Sequence, residues 1–205
     1  KPHLIGSDPD LRPKYQGIDS VKYDVIVCPH CGYGALSRFF SYMTTHQAKL
    51  IHDNISVNFK GLAPTGDTYT YDDAITRYKL ALGNTGSKKA EVSERAYKCL
   101  KLAWLYRGKA ENLKPDEADY AKKKEECAKA EKEMLANAYE GFMMSVSKEN
   151  FPICGMDETT LDYLMANLAK QIGRIDEASR IVSRILVSKT ANPKIKDKAR
   201  DLKES

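Results

Sequence analysis

Residues 159–186 read TTLDYLMANLAKQIGRIDEASRIVSRIL, and this stretch decides the fold class of the 205-residue chain. Apolar residues recur at three- and four-residue spacing on both sides of Gly173, which predicts two helices joined by a turn. Ala166 and Ala169 precede the glycine and Ala178 follows it, and small residues at such places let paired helices approach closely. The pattern is typical of a tetratricopeptide-like helical hairpin.

A stretched copy of this pattern lies earlier in the chain. Leu102-Ala103 followed by Tyr106 repeats the spacing of the first helix, and Ala138 with Phe142 resembles the second helix. More residues separate these two halves than a repeat of about 34 residues contains, so overgrown helices are expected in this hairpin. A generic helical bundle is the alternative interpretation.

In a tetratricopeptide-like array, the first helix of each hairpin lines a concave groove that holds a partner. The register places Trp104 and Arg107 on this face of one hairpin, and Tyr163, Asn167 and Lys170 on that of the next. Aromatic, amide and cationic side chains suit a peptide, since they combine stacking with charge-assisted hydrogen bonds. These five residues are the predicted partner-binding site, and for Trp104 a place in the core is the equal alternative.

Near the start of the chain, CPHCGY at residues 28–33 follows a β-branched run and is typical of a zinc knuckle. Such a turn brings the Cys28 and Cys31 thiolates onto one ion, and a structural Zn²⁺ needs four ligands. The sequence holds one such pair, so the two cysteines are predicted to be half of a zinc site. That site is expected to be incomplete within these residues and to bind Zn²⁺ in the intact protein. A thioredoxin-type redox pair is the alternative, but the required strand–helix–strand frame is missing downstream.

Composition and charge limit the functional classes. Hydrophobic residues make up 42% and charged residues 30% of the chain, as in an ordinary soluble protein, and no apolar run approaches the roughly 20 residues of a membrane span. The net charge is +5, but Lys and Glu are interleaved, as in residues 122–126, which favours a solvated helix face over a nucleic-acid patch. The scattered Cys99, Cys127 and Cys154 indicate core thiols in a reducing cytoplasm.

The sequence therefore predicts a mainly α fold, in which tetratricopeptide-like antiparallel helical hairpins follow a short N-terminal β and knuckle segment. Residues 1–34 are the partial zinc-ribbon-like segment, and residues 35–205 are the tetratricopeptide-like helical domain. Within the first segment, residues 1–20 are predicted to be loop. Helices are expected over residues 35–52, 72–82, 87–108, 115–147, 159–172 and 175–187, and from Pro193 onward, with Asp72 and Asp157 as helix caps.

Four segments resemble a bacterial family of unknown function, numbered twenty-two twenty-five among such domains. They are YDVIVCPHCGY at 23–33, YKLAL at 78–82, LAWLYR at 102–107 and the stretch from Tyr163 to Gly173. The resemblance spans nearly the whole chain, and it implies a zinc ribbon followed by tetratricopeptide-like helices, with an earlier Cys-x-x-Cys upstream of Lys1. Members often carry a further cysteine before the strand, where this chain has DLRP at 10–13. The family implies no established activity.

The leading hypothesis is a cytoplasmic, non-enzymatic module that binds a peptide or partner helix in the groove. The alternative is a nucleic-acid-associated zinc-ribbon protein that uses the basic C-terminal helices, and strong salt dependence of binding would favour it. The third hypothesis is an enzyme of unrecognised type, although the sequence contains no H-E-x-x-H or G-x-S-x-G motif. Residues 61–68 have the glycine spacing of a phosphate loop, but Asp67 stands where such a loop has lysine. Self-association through the long helix is compatible with the sequence.

Overall fold

A computed structural model describes residues 2–204, in which two short β-hairpins precede a series of helices. One hairpin pairs β1 (His3–Ser7) with β2 (Pro13–Gln16), and the other pairs β3 (Val25–Val27) with β4 (Gly34–Leu36); both are antiparallel. The mainly α fold class with a short N-terminal β segment is confirmed. The helices are α1 (Ser37–Phe40), α2 (Thr45–Asn54), α3 (Tyr71–Ser87), α4 (Val92–Glu111), α5 (Tyr120–Val146), α6 (Glu158–Gln171), α7 (Ile175–Val187) and α8 (Pro193–Glu204).

Polar side chains fix where α3 and α6 begin. Asp157 caps α6, because its carboxylate accepts a hydrogen bond from the Thr160 N–H at 2.7 Å, as the sequence predicts. At the start of α3, Thr70 Oγ1 accepts from the Asp73 N–H at 3.1 Å, and Asp73 accepts from the Thr70 N–H at 2.9 Å. This capping box satisfies two backbone donors at once. The expectation that Asp72 is the cap is therefore wrong.

Helix α3 is longer than the sequence predicts. Residues 83–86 were expected to end it, but the helix continues through them to Ser87. Asn84 is buried in this last part and donates from its side chain to the Gly32 carbonyl at 3.1 Å. The end of α3 is thus tied to the turn between β3 and β4, and this tertiary contact extends the helix past its two glycines.

Three further boundaries differ from the sequence prediction. Residues 1–20 are not simply loop, since β1 and β2 pair within them. The helix expected over 35–52 is divided, because β4 pairs with β3 and Thr44 caps α2 as a separate helix through its own capping box. Pro115 lies in the turn before α5, which begins only at Tyr120.

Helices α4 and α6 form the centre of the fold. Residues 98–105 of α4 and 161–169 of α6 are all buried, whereas a surface helix buries only one stripe. Helices α3 and α5 pack against α4, and α5, α7 and α8 pack against α6. Val25 and Leu36 of the β3–β4 hairpin belong to the same apolar core. The predicted domain boundary between residues 34 and 35 therefore lies inside β4.

Burial on all sides forces the charged residues of α4 to find partners within the fold. Lys98 is 1% exposed and donates to Glu94 at 2.6 Å, and Lys88 lies 3.0 Å from the same carboxylate. Burial disfavours the charged form of a lysine and lowers the pKa of Lys98, although the attraction of Glu94 opposes this effect. The three charges can be held in the interior because each lysine lies beside the carboxylate of Glu94.

Helix α5 is 27 residues long, and most residues of its first half are exposed to solvent. Between Tyr120 and Glu133, Cys127 is the only buried residue, so this part is a charged helix that is largely solvated, as its alanine and charge pattern predicts. In the described part of the chain, no helix is sufficiently long and apolar to cross a lipid bilayer.

The close approach of α5 to α4 depends on Gly141. A Cβ atom at this position would lie 2.8 Å from the Ala96 Cβ atom, well inside the normal contact distance of two carbon atoms. We therefore expect Gly141→Ala to lower the free energy of unfolding by about 1–3 kcal/mol. Urea denaturation followed by circular dichroism measures the change.

Gly83 provides a matched control on a different helix. It lies inside α3, and a Cβ atom there would meet nothing within 4 Å. Gly83→Ala is expected to raise the free energy of unfolding by roughly 0.5–1 kcal/mol, because alanine loses less backbone entropy on folding. If both substitutions shifted stability in the same direction by the same amount, the close approach at Gly141 would not limit the helix packing.

Candidate functional site

The five predicted partner-binding residues lie along one face of α4 and α6, and this face is not an open groove. Trp104, Tyr163 and Asn167 are 4%, 3% and 2% exposed, while Arg107 and Lys170 are partly exposed. Helix α8 and residues 8–12 cover the face. We call residues 8–12 the arm. The arm and α8 therefore occupy part of the face that the sequence assigns to the groove, and the role of the five residues in binding a partner stays a prediction.

Asp10 fixes the arm to the helices. It is 1% exposed, and its Oδ2 atom accepts hydrogen bonds from Trp104 Nε1 at 3.2 Å, from Arg107 Nη2 at 2.7 Å and from Gln171 Nε2 at 3.3 Å. Arg107 Nη1 also donates to Asp10 Oδ1 at 3.1 Å. A bidentate arginine–carboxylate pair adds geometric specificity to its strength. One carboxylate thus joins the arm to α4 and to the end of α6.

Arg107 is the cation that several elements share. Besides Asp10, it donates to Asp8 at 3.2 Å and to Glu131 of α5 at 2.7 Å. Burial alone would lower the pKa of this guanidinium, but the hydrogen bond and charge of Asp10, together with the charge of Glu131, outweigh burial and raise its pKa. Arg107 therefore stays charged, and its donors are occupied by partners from the arm, from α5 and from Gln171 of α6.

A second ion cluster holds the rest of the arm. Asp8 lies 2.7 Å from the Lys14 ammonium and 3.7 Å from the Arg12 guanidinium. Arg12, which is 5% exposed, donates through two nitrogen atoms to Glu111 of α4 at 3.1 and 2.9 Å. Each carboxylate of this cluster therefore lies beside a cation. The two negative charges, of Asp8 and Glu111, balance the two positive charges, of Arg12 and Lys14.

Two cavities flank the arm and bring most of the predicted residues together. The first has a volume of about 360 Å³ and includes Arg107, Asn167 and Lys170 in its lining; the second has a volume of about 340 Å³ and includes Tyr163. Trp104 lies beneath Asp10 in the core instead. Besides the predicted residues, the two linings contain Ser7, Asp8, Pro9, Asp10, Glu111, Gln171, Lys198, Asp201 and Leu202.

Sequence reasoning missed the arm as part of this site. The only available signal was the acid–proline–acid order at residues 8–10, in a stretch that was expected to be loop. Asp10 and Arg107 are separated by 97 positions, and a contact over that distance leaves no periodic pattern in either segment. Gln171 was likewise missed, because a glutamine at a helix end carries no distinctive signal.

The predicted metal ligands lie in a tight turn between β3 and β4. The Gly32 N–H donates to the Cys28 carbonyl at 3.0 Å, and Gly32 adopts φ 72°, a conformation that favours glycine. Hydrogen bonds from the backbone N–H groups of Cys31 and His30 lower the pKa of the Cys28 thiol, and a metal binds the thiolate form.

Two thiolates are half of the ligand set of a structural zinc. Cys28 and Cys31 are both partly exposed. Among residues 2–204, no three or more His, Cys, Asp or Glu side chains are grouped so that they could hold a metal ion. The turn therefore fits a knuckle that supplies two of four ligands, and zinc binding stays a prediction.

Comparison with known protein families identifies the family of this chain. A family described as an uncharacterized protein conserved in bacteria (DUF2225) matches residues 1–205. The chain belongs to this family. Membership confirms the resemblance that the four sequence segments carry, and the DUF2225 description names no activity. No curated protein and no solved structure matches the chain, so any function of this DUF2225 member has to be argued from its own geometry.

The bonds of Asp10 predict a large effect of a small substitution. Asp10→Asn keeps the shape of the side chain but removes its charge, so Arg107 retains only Asp8 and Glu131 as charged partners. We expect the free energy of unfolding to fall by roughly 2–4 kcal/mol, because the partner of a buried charge is lost. Urea denaturation measures this change.

Asp67→Asn is the matched control for Asp10→Asn. Asp67 is exposed and forms no ion pair with the residues that the structure describes. Its substitution is expected to change the free energy of unfolding by less than about 0.5 kcal/mol. If Asp10→Asn lowered the free energy of unfolding by no more than Asp67→Asn does, the arm would contribute little to stability.

The charge of Asp8 predicts a dependence of stability on pH. Burial alone would raise its pKa, but the hydrogen bond and charge of Lys14 and the charges of Arg107 and Arg12 outweigh burial and lower the pKa below its ordinary value of 3.8. A carboxyl whose pKa is lower in the folded state stabilises that state above the unfolded pKa. This contribution is lost as the pH falls through the folded pKa.

We expect the difference in free energy of unfolding between wild type and Asp8→Asn to be constant above about pH 5 and to shrink between about pH 5 and pH 2. Denaturation at a series of pH values measures this difference. Asp67→Asn, at an exposed position without an ion pair to the described residues, is measured at the same pH values as the control. A difference for Asp8→Asn that does not vary with pH would contradict the role of the ion cluster.

Proposed function

We propose that this chain is a non-enzymatic protein-interaction module, whose tetratricopeptide-like helical hairpins bind a peptide or a partner helix. The observation that supports this most is the arm itself. The arm is the turn between β1 and β2, and this segment of the chain itself lies on the α4–α6 face and contacts Trp104 and Arg107, two of the residues predicted to bind a partner. Tryptophan and arginine are the side chains that most often dominate binding energy at protein interfaces.

The space beside the arm also supports binding at this face. Cavities of about 360 and 340 Å³ remain on its two sides, and volumes of this size fall in the range of about 300–1,000 Å³ that ligand pockets occupy. Their linings combine the aromatic ring of Tyr163 with the amide of Asn167 and the cations Lys170 and Lys198. A peptide that lies along the arm would place side chains in both cavities.

The other parts of the proposal concern the ribbon segment and the compartment. Residues 1–34 would be a structural end-piece that takes Zn²⁺ in the intact protein through Cys28 and Cys31. We place the protein in the cytoplasm, since all five cysteines are free thiols in the structure, and a reducing compartment maintains that state. Tetratricopeptide-like hairpins in residues 35–205 would supply the rigid binding scaffold.

A capture experiment with charge-reversed variants tests the proposed function. The immobilised wild-type chain is incubated with a lysate of the source bacterium, and retained proteins are quantified by mass spectrometry. Lys198 is exposed and lines the second cavity, so Lys198→Glu is expected to reduce retention of a specific protein about tenfold, equivalent to 1.4 kcal/mol.

Lys194→Glu is the control, because Lys194 is an exposed residue of the same helix outside both cavity linings. Retention is expected to be unchanged in this variant. Equal losses in the two variants would contradict binding at the cavities. Recovery of nuclease-sensitive material in place of protein, with strong dependence on salt, would favour a nucleic-acid-associated role.

A further inference from the structure

A cavity of about 470 Å³ lies between the β3–β4 hairpin and α4, and it shares no lining residue with the cavities beside the arm. Its volume falls in the range of about 300–1,000 Å³ that small-molecule sites occupy. Two of the lining side chains are cations and one is a carboxylate. The lining residues are Asp24, Leu36, Ser37, Arg38, Tyr97 and Lys101.

The structure holds Arg38 in place at the rim of this cavity. Its Nη1 atom donates to the Cys154 carbonyl at 2.6 Å. Its guanidinium carbon lies 5.7 Å from the centre of the Tyr97 ring and 5.9 Å from that of Phe39, within the distance of a cation–π contact. The Nε and Nη2 atoms form no hydrogen bond with any described residue. Arg38 therefore offers two donors from a side chain whose orientation is already fixed, which lowers the entropy cost of binding.

Lys101 supplies the second cation, from the floor of the cavity. It is a buried residue of α4 that forms an ion pair with Asp24, and its ammonium lies 4.9 Å from the centre of the Tyr97 ring. This pairing compensates the charge of Asp24, so the carboxylate does not repel an anion as a free one would. Counting Arg38 and Lys101 as +1 each and Asp24 as −1 leaves a formal charge of +1 in the cavity.

We propose that this cavity binds a small organic anion through a carboxylate or phosphate group. The planar fork of an arginine suits two oxygen atoms of either group. The Ser37 hydroxyl lies in the same lining and has no hydrogen-bond partner among the described residues, so it provides a further donor. Leu36 and the Tyr97 ring provide the apolar contact for the rest of the ligand. This site is independent of the interaction face, and its failure would leave the proposed function untouched.

Nuclear magnetic resonance titration of the full chain tests the proposal. Inorganic phosphate is added in one series and succinate in another, at constant ionic strength, and backbone amide shifts are followed. Saturable shifts confined to residues 36–38 and 97–101 are expected, with half-saturation below about 10 mM, the weak end of specific affinity. The series that saturates at the lower concentration identifies phosphate or carboxylate as the recognised group.

Three variants make the outcome decisive. Arg38→Gln is expected to weaken binding at least tenfold, and Arg38→Lys to weaken it by less, since lysine keeps the charge but not the fork. Arg95→Gln, at an exposed position of α4 outside the lining, is expected to leave binding unchanged. The proposal is overturned if neither anion gives localised saturable shifts, or if Arg38→Gln and Arg95→Gln weaken binding equally. Because Arg38 is exposed, a thermal denaturation curve close to that of wild type confirms that Arg38→Gln is folded.

Discussion

The buried carboxylate of Asp10 is the interaction on which the arrangement of this protein depends. Removing a carboxylate from water carries a large cost, which close donors in good geometry offset. Here Trp104 and Arg107 on α4 and Gln171 on α6 all donate to it, so the positions of the arm and of both helices are fixed together. Helices α3, α5, α7 and α8 cover the other sides of α4 and α6, so residues 98–105 and 161–169 are buried.

This arrangement changes what a helical-hairpin fold can offer to a partner. In an open array, the inner helices present a continuous concave surface. In this chain, the arm and α8 occupy that surface and leave two separate cavities. A partner would have to fit around Asp8 and Pro9, whose side chains line both spaces, and this restricts the shapes and charges that can bind. If this face binds a partner as proposed, the covered face would be smaller and more selective than an open one.

The parts of the fold that the sequence predicted are those that local chemistry determines. The α6–α7 hairpin follows from the cap at Asp157, the turn at Gly173 and the apolar spacing between them. The end of α3 could not be predicted, because Asn84 bonds to the Gly32 carbonyl across 52 positions. The covered groove and the cavity at Arg38 escaped prediction for the same reason, since each is assembled from segments whose contact leaves no periodic pattern.

The position of the arm in the sequence also constrains how the protein is made. Asp10 and Gln171 are 161 positions apart, and at about 5–20 residues per second the ribosome needs roughly 8–30 s to advance from one to the other. For that interval the arm has been synthesised but its donor on α6 has not. Closing so long a loop also carries an entropy cost. The arm is translated before every helix of the fold, but its contact with α6 can form only after the chain through α6 has been made.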